Sequence, residues 1–364
     1  MRIRKEKEFL SFFDEETGRY MRTGIIKGGK DTGEDPFMSS FPELLDVGIM
    51  GHCRHGKSGL CIKAGVECYQ DGLHAEQPNM KLQDFKELTA QCRGKTYQFA
   101  LGGCGDPDQH EDFEEILHLC KKAGIVPNFT TSGLGMNEHI ARLCKKYCGA
   151  VAVSWYRSEY TLHAIELLTA AGVKTNIHYV LGRHTAAEAL QRLKERSFPE
   201  KINAVVFLLH KPVGLGSRGN MIRQDNEDFR RLIEYVSSES CRYKIGFDSC
   251  TVPALIRHPG NIDADSLDTC EGARWSAYVT PDMKLLPCSF DNQEQRWAVD
   301  LKTHSVQEAW NSERFEEFRN HFRRACPGCG IRAQCMGGCP IRPEIVLCSE
   351  KENTVTEAKG GRIG

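Results

Sequence analysis

The stretch "CPGCGIRAQCMGGC", residues 326–339, carries four cysteines in the spacing C-x2-C-x5-C-x3-C, and one more follows after a gap. Glycines between the cysteines allow tight turns, so that several thiolates can converge on one centre. The spacing alone fits a structural zinc site and an iron–sulfur cluster about equally well, because both are held by cysteine thiolates. The cysteines of this array are Cys326, Cys329, Cys335, Cys339 and Cys348.

Bulk composition narrows the class of protein. The 364 residues include 48 Lys and Arg against 49 Asp and Glu, and no basic stripe stands out, which argues against nucleic acid as a partner. No apolar run approaches the roughly 20 residues that cross a bilayer, and the charged N-terminus is not typical of a secretory signal. We therefore expect a cytoplasmic protein that binds neither nucleic acid nor membrane.

Seventeen cysteines are unusual for such a chain, because disulfides are rare in the reducing cytosol. Metal binding or thiol chemistry is the alternative. Cys92, Cys120 and Cys144 each end or continue an apolar stripe with helical spacing, which predicts that they pack in the core. Cys148 and Cys241 have no partner at ligand spacing and are interpreted as structural.

From residue 44 onward, short apolar runs alternate with helical stripes. The predicted strands are 44–49, 97–101, 126–130, 150–155, 174–181 and 204–209, and the predicted helices are 82–93, 111–123, 137–147, 158–171 and 185–196. This alternation predicts a parallel sheet with right-handed crossovers. The fold class is therefore α/β. Six strand–helix units favour an open or partial (β/α)6 TIM-like barrel.

In such sheets the chemistry lies beyond the carboxyl ends of the strands. The first strand is followed by Cys53, Cys61 and Cys68, and the second by "GGCGDP" (102–107). The third strand ends in "TTSG" (130–133), and the fourth ends near Ser154. A tight turn would explain a lone pair of glycines, but the combination indicates a metal centre beside a small polar ligand.

A second cysteine pair brackets a predicted hairpin. In "CEGARWSAYVTPDMKLLPC", Cys270 and Cys288 stand at the two ends, Ala277, Val279 and 284–286 would form the strands, and Pro281-Asp282 the turn.

The whole pattern resembles the radical S-adenosylmethionine superfamily, specifically its subgroup with a small, Cys-rich C-terminal SPASM domain. The resemblance covers roughly residues 44–348, and its most specific part is the seven-cysteine array that begins at Cys270. It implies an N-terminal extension with a hairpin (1–43), a radical barrel (44–240), a bridging region (241–269), the SPASM domain (270–350) and a flexible tail (351–364).

The resemblance implies three [4Fe–4S] clusters, two of them auxiliary. One auxiliary cluster would be held by Cys326, Cys329, Cys335 and Cys348. The other would be held by Cys270, Cys288 and Cys339, with its fourth iron either open or bound by Cys250 of "GFDSCTVP". A buried thiol after a strand is an equal alternative for Cys250.

The front motif departs from the family. Most members carry C-x3-C-x2-C, whereas Cys53, Cys61 and Cys68 are spaced C-x7-C-x6-C. These cysteines would bind the catalytic cluster, and the aromatic Tyr69 after the third one follows the family habit. By resemblance, the S-adenosylmethionine contacts are Gly102, Gly103, Cys104, Asp106, Thr131, Ser132, Ser154 and Leu181, with Asp106 supplying a carboxylate because Cys104 stands where the family has Glu.

The implied activity is reductive cleavage of S-adenosylmethionine to a 5′-deoxyadenosyl radical, followed by modification of a Cys-containing ribosomal peptide through a thioether or another crosslink. The implied partners are a precursor peptide and an electron donor such as flavodoxin or ferredoxin. The 43 residues before the first strand are fewer than a winged leader-binding domain needs. Leader recognition would then use the barrel mouth, the N-terminal hairpin or a separate protein.

Two alternatives remain. An anaerobic sulfatase-maturating enzyme, which forms formylglycine, shares the SPASM architecture, but its members usually have eight auxiliary cysteines and the compact front motif. A non-catalytic protein with structural zinc belongs to a different class and would be colourless rather than brown.

Overall fold

The computed structural model describes residues 1–238, 241–257, 262 and 266–348. The predicted tail at 351–364 lies outside these residues. The chain forms two compact units, each assembled from separate segments. The first unit comprises Met1–Val66, Gln70–Asn176 and Glu271–Arg319, and the second comprises Glu67–Tyr69, Ile177–Cys270 and the chain from Asn320 onward.

The regular elements of the described residues are numbered in chain order. The strands are β1 (Arg2–Lys5), β2 (Leu10–Phe13), β3 (Tyr20–Arg22), β4 (Ile26–Lys27), β5 (Lys30–Asp31), β6 (Leu44–Met50), β7 (Gln98–Gly103), β8 (Val126–Thr131), β9 (Val151–Ser154), β10 (Thr175–Leu181), β11 (Ala204–Leu209), β12 (Ile245–Phe247), β13 (Ser276–Val279), β14 (Lys284–Leu286) and β15 (Val299–Asp300). The helices are α1 (Arg54–Ser58), α2 (Leu60–Lys63), α3 (Leu82–Cys92), α4 (Phe113–Ala123), α5 (Glu138–Tyr147), α6 (Glu159–Ala170), α7 (Ala186–Glu195), α8 (Glu227–Val236), α9 (Val252–Arg257), α10 (Val306–Trp310), α11 (Glu313–Arg324) and α12 (Arg332–Cys335).

The first unit is built on a mixed sheet in the order β9-β8-β7-β6-β13-β14-β15. Strands β6 to β9 are parallel neighbours, as the strand–helix alternation predicts. The predicted hairpin is present as β13 and β14, which pair antiparallel, and β13 lies parallel to β6. Parallel pairing sets the carboxyl ends of β6, β7, β8 and β9 along one edge, which is where the cysteine and glycine motifs follow.

Helices α3, α4 and α5 cover the sheet with the apolar stripes seen in the sequence. On α4 the buried residues are Phe113, Ile116, Leu117 and Cys120. Cys92, Cys120 and Cys144 have no exposed surface, which confirms that they serve packing. Burial raises the pKa of Cys92 to about 12, so its thiol is inert.

An antiparallel sheet, β1-β2-β3, also belongs to the first unit and contains the predicted N-terminal hairpin as β2 and β3. Phe13 stacks on Tyr97 with ring centroids 5.2 Å apart, and the hydroxyls of Ser11 and Tyr97 are 2.9 Å apart. Arg4 forms an ion pair of 2.9 Å with Glu43. The small sheet is therefore anchored where β6 and β7 begin.

The second unit contains β10, β11 and β12 in that order, with β11 and β12 parallel. Tyr179 of β10 is buried against Phe207 of β11 at 5.6 Å, and its hydroxyl donates to the Thr185 carbonyl. Helices α7 and α8 belong to this unit. Among the described residues, no helix has the length and apolar character needed to span a membrane.

Candidate functional site

The loop after β6 folds the widely spaced Cys53 and Cys61 back toward one another. Cys53 caps α1, and its sulfur accepts the Gly56 amide at 3.1 Å. Gly59, with φ of 70°, ends α1 and lets α2 begin at once. The buried Cys61 thiol on α2 points to the His55 carbonyl at 3.8 Å. The two thiols thus contact opposite ends of one peptide group, between His55 and Gly56.

The turn after β7 lies directly on the backbone that leads into Cys53. The Cys104 amide donates to the Met50 carbonyl at 2.8 Å. A Cβ placed on Gly103, whose φ is 114°, would lie 2.2 Å from that carbonyl oxygen, and one on Gly105 would lie 2.4 Å from the His52 oxygen. Only glycine allows so close an approach of two backbones.

Two other glycines leave room at this edge. A Cβ on Gly102 would meet no atom within 4 Å, so this face of the turn borders open space. A Cβ on Gly72 would lie 3.4 Å from the Cys53 sulfur and 3.0 Å from the Cys104 carbonyl oxygen. Because glycine has no side chain, Gly72 and Gly102 keep the surroundings of Cys53 and of the turn clear, as a bound cluster and a small ligand would require.

Asp106 is already engaged by the next strand. Its carboxylate accepts hydrogen bonds from the Ser132 amide at 2.6 Å and from the Ser132 hydroxyl at 2.5 Å. Thr131 is buried, and its hydroxyl oxygen accepts the Gly133 amide at 3.0 Å. The predicted residues Asp106, Thr131 and Ser132 therefore do come together, but as a network that ties the ends of β7 and β8. Ser154 ends β9, half-buried, in the same unit.

Asp108 is a residue that sequence reasoning missed. It is 7% exposed, and within the described structure neither carboxylate oxygen makes a hydrogen bond of good geometry. Burial, with a smaller contribution from the charge of Asp106, raises the pKa of Asp108 to about 7, and the nearby Thr131 hydroxyl offsets part of the rise. The only signal in the sequence was a second aspartate two positions after Asp106.

The third front cysteine belongs to the second unit. The Cys68 carbonyl accepts the Leu215 amide at 2.9 Å, and a Cβ on Gly214, whose φ is 61°, would lie 2.6 Å from the same oxygen. The neighbouring Glu67 carboxylate accepts from the Ser217 amide at 3.2 Å and from the Ser217 hydroxyl at 2.7 Å. The loop after β11 therefore clamps the chain at Cys68.

The remaining predicted contacts in this unit differ in exposure. Tyr69 is 41% exposed, whereas Leu181 at the end of β10 is fully buried.

Cys250 lies in a tight turn between β12 and α9. Asp248 accepts the Thr251 hydroxyl at 2.8 Å and forms an ion pair of 2.6 Å with the buried Lys211. Burial raises the pKa of the Cys250 thiol well above its usual value, the Lys211 charge lowers it, and the nearby thiols of Cys339 and Cys270 raise it further. The structure thus brings Cys250, Cys270 and Cys339 into one neighbourhood.

The C-terminal array consists of turns, as its glycines predict. Met336, Gly337 and Gly338 all have positive φ values between Cys335 and Cys339. The Cys339 sulfur accepts the Arg342 amide at 3.3 Å, and the buried Cys348 sulfur accepts from Arg257 at 3.0 Å. The array cysteines Cys326, Cys329, Cys335, Cys339 and Cys348 belong to the second unit, whereas Cys288 follows β14 in the first.

Disulfides do not explain these cysteines. All seventeen lie in the described part of the chain, and none of them is joined to another by a disulfide bond.

Residues 270–335 match the family model of SPASM, an iron–sulfur cluster-binding domain. No curated protein sequence matches the chain. Among solved structures, Streptococcus suis SuiB bound to its precursor peptide SuiA is similar with a TM-score of 0.64 and 16% identity, covering 86% of this chain and 76% of SuiB. SuiB bound to S-adenosylmethionine has a TM-score of 0.64 and 17% identity, covering 86% of this chain and 77% of SuiB. The anSMEcpe structure with bound AdoMet and the Cp18Cys peptide has a TM-score of 0.60 and 17% identity, covering 82% of this chain and 89% of anSMEcpe.

The family match confirms the SPASM domain that the cysteine array predicts. The SPASM region is identified by its own family model, and the chain has the α/β fold of SuiB and anSMEcpe around a central parallel sheet. At such low identity, the likeness to the solved structures concerns the fold.

Proposed function

We propose that this protein is a radical S-adenosylmethionine enzyme that modifies a peptide. The observation that carries the proposal is the meeting of two motifs at the carboxyl edge of the parallel sheet. The folded-back loop of Cys53 and Cys61 lies directly against the turn at 102–105. Thiols suited to an iron–sulfur cluster thus stand beside open space at Gly102, where a small cofactor could bind.

The residues fit the front cluster by the chemistry of their donors. Cys53, Cys61 and Cys68 supply three thiols that are not in disulfides, and three thiolates on a four-iron cluster leave one iron for the cofactor. Gly72 keeps the space next to the Cys53 sulfur clear. When bound, the cluster would supply one electron that cleaves S-adenosylmethionine, and the resulting 5′-deoxyadenosyl radical would abstract a hydrogen atom from the substrate. The protein's own role is to position the cofactor and exclude water.

For the auxiliary clusters, we propose Cys326, Cys329, Cys335 and Cys348 as one ligand set, and Cys270, Cys288, Cys339 and Cys250 as the other. The position of Cys250 near Cys270 and Cys339 supports its role as the fourth ligand.

The proposed substrate is a Cys-containing ribosomal peptide that receives a thioether or another crosslink. SuiB is similar to this chain in fold and was solved with its precursor peptide SuiA, which supports a peptide substrate. An electron donor such as flavodoxin or ferredoxin would complete the reaction. Formylglycine formation on a sulfatase is the second candidate, because anSMEcpe, solved with AdoMet and a peptide, is similar over 89% of its length.

The proposal is tested on anaerobically prepared protein. We expect brown protein with about twelve irons per chain, four for each of three clusters. Reductant and S-adenosylmethionine should then yield 5′-deoxyadenosine, and Cys68→Ala should abolish that product while the auxiliary iron remains. Colourless protein containing zinc, or full activity in Cys68→Ala, would contradict the proposal. Peptide and sulfatase-derived substrates assayed side by side distinguish the two candidate functions.

A further inference from the structure

The loop between Cys53 and Cys61 is fastened to the rest of the first unit by one buried histidine. His55 lies on α1, two residues after Cys53, and is only 3% exposed. Its Nε2 atom lies 2.7 Å from the hydroxyl of Tyr160, at the start of α6 and 105 positions further along the chain. A short hydrogen bond therefore joins the cysteine loop to α6.

Aromatic packing reinforces this contact. The His55 ring stacks on Tyr156 with centroids 5.2 Å apart and planes 15° apart, and it meets Tyr160 edge-on at 5.4 Å. The imidazole is held on two sides by the segment that follows β9.

The same histidine stands between the two thiols. Its carbonyl faces the Cys61 sulfur at 3.8 Å, and the next amide, of Gly56, donates to the Cys53 sulfur at 3.1 Å. A Cβ on Gly56 would lie 2.2 Å from the Gly72 carbonyl oxygen, so the backbone at this point is confined from the other side. Since the His55–Gly56 peptide group contacts both sulfurs, a shift of this peptide group would displace both of them.

We propose that the His55–Tyr160 hydrogen bond positions Cys53 and Cys61 for the front cluster, an inference that rests on the proposed function. Seven residues separate these ligands, and ordering a longer loop between two fixed ends has a larger entropic cost. Fastening the middle of the loop to α6 restricts the loop before iron binds. His55 and Tyr160 are thus positioning residues.

The test compares Tyr160→Phe and His55→Phe with wild type and with Tyr243→Phe. The control removes a hydroxyl that donates to the Phe198 carbonyl at a similar 2.8 Å in the second unit. The iron that wild type binds and the Cys68→Ala variant lacks is assigned to the front cluster. The readouts are the rate of iron loss to a chelator, the part of the reduced EPR spectrum that shifts on adding S-adenosylmethionine, and the melting temperature of the iron-free protein.

We expect Tyr160→Phe and His55→Phe to lose the front-cluster signal about three- to tenfold faster than wild type, the effect of losing one hydrogen bond. The melting temperature of iron-free Tyr160→Phe should match that of Tyr243→Phe. If wild type carries the front cluster but Tyr160→Phe loses it no faster than Tyr243→Phe, the inference is wrong. If the Cys68→Ala variant binds as much iron as wild type, the proposed function is wrong as well.

Discussion

Among single residues, Asp106 and Asp108 of the turn after β7 have contrasting environments. Asp106 is satisfied by Ser132, whereas Asp108 is buried without a good hydrogen bond in the described structure. The pKa of Asp108 is about 7 in the folded protein, against 3.8 for the free side chain. The folded state therefore retains a proton that the unfolded chain releases, and stability should fall as the pH rises from about 4 through 7.

Asp108→Asn removes this titration. We expect the variant to be more stable than wild type at pH 8, by up to about 4 kcal/mol, because each pKa unit is worth about 1.4 kcal/mol. The difference should vanish near pH 2, where the aspartate is protonated in both states. Denaturant unfolding of the iron-free proteins at the two pH values measures the effect. Identical pH dependence in both proteins would show that Asp108 is solvated.

Gly102 and Gly105 allow a second comparison at this scale. Gly105→Ala places a methyl group 2.4 Å from the His52 carbonyl oxygen, so we expect it to lower stability by about 1–3 kcal/mol. The methyl group of Gly102→Ala would point into open space, so this substitution should change stability by less than about 0.5 kcal/mol. It should still weaken S-adenosylmethionine binding at least about tenfold, because a methyl group would occupy ligand space.

Thermal melting and equilibrium binding separate the two glycine effects. Unchanged cofactor affinity in Gly102→Ala would place the cofactor elsewhere.

At the scale of elements, the turn that joins β12 to α9 decides the role of Cys250. The Asp248–Thr251 hydrogen bond fixes this turn, and the Lys211 ion pair ties it to the segment after β11. This turn holds Cys250 in the neighbourhood of Cys270 and Cys339, so substitution of Cys250 tests the proposed ligand role.

We expect Cys250→Ala to remove up to about four irons per chain or to change the spectrum of one auxiliary cluster. Cys241→Ala is the matched control, since Cys241 is half-buried in the same unit and its thiol donates to the Tyr243 carbonyl at 3.7 Å. Iron analysis and EPR compare the variants. Equal iron in Cys250→Ala and Cys241→Ala would show that the cluster has an open site there.

For the molecule as a whole, the two units differ in how much regular structure supports their thiols. The front loop rests on a parallel sheet with a packed core, whereas the C-terminal array relies on α12 and turns. In sites of this kind, metal binding supplies folding free energy. Iron should therefore stabilise residues 326–348 much more than β6 to β9.

Removing the iron should make trypsin cleave at Arg332 several-fold faster, while cleavage within the sheet of the first unit stays slow. Mass spectrometry of time-resolved digests with and without iron measures the rates. The array would be shown to fold without metal if both forms resisted trypsin equally.

The sequence alone determined the strands and helices of the repeat at 44–209, because each depends on neighbours a few positions away. The predicted strand at 126–130 is β8, Val126–Thr131, and the predicted helix at 185–196 is α7, Ala186–Glu195. The strand–helix alternation also fixed the edge at which the motifs would gather. The cysteine spacing was sufficient to identify the SPASM region, since its ligands lie close together in the chain.

Only the tertiary structure decided what those motif residues contact. Asp106 remains a predicted cofactor contact, and its oxygens accept from Ser132, 26 positions away, because β7 and β8 lie side by side. Similarly, His55 meets Tyr160 across 105 positions, because the fold brings the loop after β6 to the start of α6. Hydrophobic periodicity acts over a few residues, whereas these partners are chosen by strand pairing and by burial, which no local stretch of the sequence encodes.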